Sequence, residues 1–195
     1  SRVVSIMPAP ISLPEGIALE GLLDSLRPLC WGAADILRAY ARGEVPPHGF
    51  PPVLSVEDGG EGPVSAADLA VNQWLLDGLR GAFPSAPWSL LSEETAKEQL
   101  ASGRPLEADW LWILDPLDGT RDFLVGTGEY AVHLALVHRG RPVLGMVLLP
   151  EPQELWIGLL PGDGQPGQAW REDRAGVRSA PQLSDRASQD ELVLV

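Results

Sequence analysis

Lysine is almost missing from this chain of 195 residues: Lys97 is the sole example among 14 basic residues, which face 27 acidic ones for a formal net charge of −13. A surface so poor in positive charge excludes binding along a nucleic-acid polymer, which needs clustered Lys and Arg to neutralise phosphates. It would also repel a small anionic substrate unless bound cations reverse the local field. Phosphate chemistry on this chain therefore calls for metal. Cysteine is scarce as well. Cys30 has no second thiol to pair with, which fits a reducing, cytoplasmic setting, and its neighbours Leu29 and Trp31 mark it as a core position. No apolar run reaches the roughly 20 residues a transmembrane segment needs. Residues 1–14 lack the basic-then-apolar layout of a secretion signal. The three histidines, His48, His133 and His138, show no zinc-ligand spacing, and His133, in an apolar run, is expected to be a satisfied core residue.

What is present is a globular composition, 45% hydrophobic and 21% charged, long enough for a sizeable core. Residues 1–15 are Pro-rich and predict an irregular arm. Over 17–40 the apolar residues Leu19, Leu22, Leu23, Leu26, Ile36, Leu37 and Tyr40 recur at helical spacing, with Pro28 expected to kink or split the helix. A Pro- and Gly-rich loop follows over 44–64. A second helix is predicted to open at Ser65, with Asp68 closing a capping box in its first turn, and to stop at Phe83-Pro84. A short strand over 88–91 runs into Ser92-Glu93-Glu94, where the charges predict a solvated loop or the first turn of a helix. Further strands are expected over 110–114, 130–137, 142–149, 154–159 and 168–171, the second and third joined as a hairpin around Arg139-Gly140. The fold class is α+β: two helices packed on a largely antiparallel sheet.

The most informative stretch is Asp115-Pro116-Leu117-Asp118-Gly119-Thr120, directly after the predicted strand over 110–114. Two acids three apart on a turn can converge on a hard cation, which takes oxygen ligands. Gly119 allows a positive φ or a close backbone approach, and Thr120 brings a hydroxyl to a point where a helix can start and accept an anion. A plain Asp-Gly turn would use the same residues.

Together with two upstream segments, this stretch resembles the signature of the inositol monophosphatase superfamily. Leu91-Ser92-Glu93-Glu94 is similar to that family's paired-glutamate motif, and Pro63-Val64-Ser65-Ala66-Ala67-Asp68 to its Thr-Ala-Ala-Asp helix start. The wording is nearest to the 3'(2'),5'-bisphosphate nucleotidase branch. The resemblance implies the N-terminal half of the family's layered α/β fold and two or three Mg²⁺ ions as cofactors. Glu93, Asp115 and the Leu117 carbonyl would hold a first ion, and Asp115 and Asp118 a second. Thr120, hydrogen-bonded to Asp68, would activate the attacking water. Gly119, Thr120 and Arg121 would receive the phosphate, and Glu94 would steer Glu93 or a water. The substrate implied is a small phosphate ester, adenosine 3',5'-bisphosphate first and inositol 1-phosphate or a sugar phosphate second.

The family completes its second metal site with the aspartate of a Trp-Asp motif in a C-terminal domain, and none of the seven tryptophans here precedes Asp. The 59–63 loop also replaces the Lys-x-Asp approach often found before the helix, with Glu57-Asp58 as a poor substitute. The expected organisation is the arm over 1–15, a metal-binding phosphatase domain over 16–190, and a first strand of a missing domain over 191–195. The competing expectation is a metal-binding or interaction fragment, weakly active at best, whose apolar end, 192–195, promotes self-association.

Overall fold

The computed structural model describes residues 11–52, 62–104 and 108–179, and of Pro63, Glu94 and Leu100 the backbone alone. Most of the expected N-terminal arm, the middle of the Pro/Gly loop and the stub over 191–195 lie outside the described residues. Helix α1 (Leu19–Ala41) carries the predicted stripe, with Leu22, Leu23, Leu26, Ile36 and Leu37 fully buried. It continues through Pro28 as one helix, so the split, one of the two outcomes expected there, does not occur. Proline removes one backbone hydrogen bond, but buried leucines and isoleucine on both sides of it anchor the two halves to one core. Ile11 also packs into that core, so residues 11–15 of the expected arm, which form no helix or strand, are held against it.

Helix α2 (Gly62–Ala82) begins earlier than the Ser65 start expected. Pro63 suits a first turn, where its missing N–H would have no helical partner. Ser65 is therefore already helical, Asp68 lies in the second turn, and the capping-box reading of that pair is corrected. The loop after α1 is pinned by Tyr40, whose hydroxyl donates to the Pro51 carbonyl at 2.7 Å, and by His48 stacked on Trp74 at 4.1 Å.

The strands are β1 (Trp88–Ser92), β2 (Trp110–Asp118), β3 (Ala131–His138), β4 (Arg141–Leu149), β5 (Glu154–Leu159), β6 (Gln168–Glu172) and β7 (Arg178–Ser179), forming one sheet in sequence order. β1 runs parallel to β2 and every other pairing is antiparallel. The Arg139-Gly140 connection has positive φ at both residues, 48° and 79°, as a two-residue hairpin turn requires. Two shorter helices follow strand ends: α3 (Glu93–Ser102), where the first turn of a helix was one of two expectations, and α4 (Thr120–Val125), at the helix start expected at Thr120.

Strand alternation divides the sheet into two faces. Trp112, Leu134, Leu136, Leu144, Met146, Leu148, Leu155 and Ile157 are buried on the helix-covered face, against α1 and α2. Cys30 belongs to this core, and burial pushes its thiol up to about 12, so it is not a nucleophile. One charge also enters the core: the Glu172 carboxylate, 2% exposed, accepts from Arg27 Nε at 3.0 Å and ties β6 to α1.

Arg27→Met should cost about 3 kcal/mol in urea unfolding, because it leaves a buried carboxylate with Arg178, at 3.8 Å, as its one remaining cation among the described residues. The double variant Arg27→Met, Glu172→Met should recover most of that loss. Equal destabilisation by the single and double variants would show the ion pair to be irrelevant.

Candidate active site

The site is assembled where β1 and β2 end side by side. In the parallel register Ser92 lies beside Leu114, so Glu93 follows at the level of Asp115. A reciprocal cap sets the direction of α3: Ser92 N–H donates to Thr95 Oγ1 at 2.6 Å, and Thr95 N–H donates to Ser92 Oγ at 3.4 Å. This cap makes the acidic run a helix rather than a solvated loop.

β2 does not stop at Leu114 as expected. It continues to Asp118 through a bulge: Asp115 pairs with His133 and Asp118 with Ala131, so three steps along β2 match two along β3. In a regular strand, residues three apart point to opposite faces. The extra residue cancels that and brings Asp115 and Asp118 to the same face. Pro116 and Leu117 are buried beneath them. Gly119 then takes φ 83°, where a Cβ would lie 2.8 Å from the Glu129 carbonyl oxygen, so this position requires glycine. Thr120 starts α4 as expected and is exposed. The first helical bond runs from Phe123 N to the Gly119 carbonyl at 2.9 Å, which leaves the N–H groups of 120–122 without helical partners. Asp68 is partly buried on α2, the helix that packs against α4. Arg121 is exposed, and the Glu94 side chain is not among those described.

Electrostatics tie the carboxyls together. Burial raises the Asp115 carboxyl above its usual range, and the charges of Asp118 and Glu93 raise it further. His133 and a hydrogen bond from the Leu117 N–H work in the opposite direction. Asp118 Oδ2 lies 3.1 Å from His133 Nε2, and Glu93 reaches Lys97 at 3.5 Å. His133 is therefore not the core residue expected from sequence. Val132 and Leu134 beside it are buried, so alternation turns His133 to the carboxylate face; that pattern was readable from the sequence.

Among the described residues, no three His, Cys, Asp or Glu side chains close into a ready-made metal cage. The donor chemistry nonetheless fits a hard divalent cation. Asp115, Asp118 and Glu93 provide carboxylate oxygens that share one neighbourhood, with too little positive charge around Asp115 to balance them.

The model of the inositol monophosphatase family matches residues 20–189. The chain belongs to the inositol monophosphatase family. It is similar to the 3'(2'),5'-bisphosphate nucleotidase CysQ of Escherichia coli K12, 34% identical over 167 residues, covering 84% of this chain and 59% of that enzyme. The CysQ of Salmonella typhimurium is 36% identical over 127 residues, covering 64% of this chain and 46% of its own length. Among solved structures, an inositol monophosphatase from Zymomonas mobilis has a TM-score of 0.55 at 30% identity, over 78% of this chain and 51% of its own. CysQ from Bacteroides thetaiotaomicron shares the fold, with a TM-score of 0.52 at 23% identity, covering 85% of this chain and 53% of its own. The chain thus spans about half the length of these relatives.

Because its folded carboxyl titrates above its unfolded one, Asp115 favours folding when protonated and opposes it once ionised. Asp115→Asn should therefore raise the metal-free thermal midpoint at pH 7, with the gain vanishing by about pH 3, where both states are protonated. The same variant should abolish any rise in midpoint that Mg²⁺ produces in the parent. A lower midpoint at pH 7 would contradict the crowding of charge described here.

Proposed function

We propose that this chain forms the metal-binding part of a Mg²⁺-dependent phosphomonoesterase whose first substrate is adenosine 3',5'-bisphosphate. The observation that carries the proposal is the bulge that turns Asp115 and Asp118 to one face beside Glu93. Similarity to two CysQ nucleotidases supports the substrate choice, and inositol 1-phosphate is the alternative within the family. Glu93, Asp115, the Leu117 carbonyl and Asp118 would hold two or three Mg²⁺ ions. When bound, these ions supply the charge that counters the incoming phosphate and stabilises the entering and leaving oxygens.

The chain's own groups then divide the remaining work. The free N–H groups at the start of α4, with Gly119, Thr120 and Arg121, receive the phosphate oxygens. The Thr120 hydroxyl takes a proton from the attacking water and passes its own to Asp68, since a hydroxyl alone is a weak base. Packing of α2 on α4 supports that relay by bringing their two elements together. Glu94 steers Glu93. The net charge of −13 makes the cations indispensable to a substrate that carries two phosphate groups.

A second reading is a metal-binding fragment that associates with another surface. It is favoured by the sheet face turned away from α1 and α2, where Ile113 is 43% exposed and Val147, Trp156, Gly158 and Ala169 line an apolar trough of about 260 Å³. On this reading the chain self-associates and turns over little substrate.

Phosphate release from adenosine 3',5'-bisphosphate and from inositol 1-phosphate, with Mg²⁺ or with chelator, separates these readings. The bisphosphate should be the better substrate, chelation should stop turnover, and Thr120→Val should lower kcat by ~100-fold or more with Mg²⁺ affinity unchanged. Negligible turnover of the bisphosphate would remove the first substrate choice. Absence of phosphatase activity alongside intact Mg²⁺ binding would favour the fragment.

A further inference from the structure

We propose that His133 is the positioning residue for Asp118: its Nε2–H holds one carboxylate oxygen so that the other is presented to a divalent cation. This rests on Asp118 serving as a cation ligand, as set out above. The contact is 3.1 Å between His133 Nε2 and Asp118 Oδ2. An ionised carboxylate only accepts, so the proton of the neutral imidazole sits on Nε2.

Backbone register creates this contact. His133 lies directly opposite Asp115 on β3, and the bulge returns Asp118 to the same face, opposite Ala131. The residues flanking His133 on that face, Ala131 and Ala135, are too small to fill the space beside the ring. β3 lies between β2 and β4, so its backbone is braced on both edges. Asp118, by contrast, is 61% exposed at the last residue of β2. An exposed aspartate at a strand end would sample several rotamers, and freezing it upon cation binding costs entropy. A donor anchored on an internal strand removes much of that cost, as hydrogen-bond partners of metal ligands commonly do.

Calorimetric Mg²⁺ titration of the 195-residue chain tests the assignment without any activity assay. His133→Ala should weaken Mg²⁺ binding ~10-fold or more, while His133→Gln, which retains a side-chain donor, should recover to within roughly threefold of the parent. Asp118→Asn should lose nearly all binding. Unchanged affinity in His133→Ala with binding lost in Asp118→Asn would overturn the role of His133 and leave the cation site standing. Equal losses in the Ala and Gln variants would overturn the donor role. If the parent itself takes up no Mg²⁺, both the cation reading and this proposal fall. Nitrogen NMR of the metal-free parent at pH 8 decides independently of whether the variants fold: the Nε2–H tautomer is expected at His133, and Nδ1–H would overturn the proposal.

Discussion

One extra residue in β2 is the constraint on which the site depends. The Asp115 and Asp118 side chains belong on opposite faces of a regular strand, one toward the helices and one away from them. The bulge opposite β3 resets that alternation, so both carboxyls face the same way and His133 comes within hydrogen-bond reach. Pro116 and Leu117 enter the buried layer in exchange, so shifting the register would expose Leu117 and bury a charge. Hydrophobic packing therefore holds the carboxylates in an arrangement that their mutual repulsion opposes.

Two acids in this molecule show how differently a carboxylate can be accommodated. Glu172 is almost fully enclosed and is neutralised within the chain by Arg27, with Arg178 close by. Asp115 is only half enclosed, yet burial raises its carboxyl, and the charges of Asp118 and Glu93 raise it further. An internally paired acid contributes to the fold, whereas a crowded acid without an internal cation is poised for an external one. Lys97 on Glu93 is a single contact between exposed side chains, and the partly buried His133 meets Asp118 in a single hydrogen bond.

Much of the architecture could be read along the chain because its signals are local. The leucine stripe of α1, the hairpin at Arg139-Gly140 and the apolar runs of β3 to β6 each lie within a few residues of the features that define them. Errors arose where a local signal had a tertiary competitor. Pro28 suggested a broken α1, but burial on both sides kept the helix whole. Ser65 looked like a cap, but α2 had already begun at Gly62. Asp115-Pro116 looked like the end of a strand, but pairing with β3 carried β2 on to Asp118.

The sequence by itself determined the chemical inventory: oxygen donors at positions 93, 115 and 118, a hydroxyl at 120, and a shortage of positive charge that leaves anion binding to cations. It also determined the family, because those residue types occur in order within recognisable segments. Only the tertiary structure decided which side chains meet. The direction of Asp118, the level of Glu93 beside Asp115 and the approach of His133 follow from strand register. Register is set by pairings between residues distant in the chain, and hydrophobic burial across the whole sheet selects it.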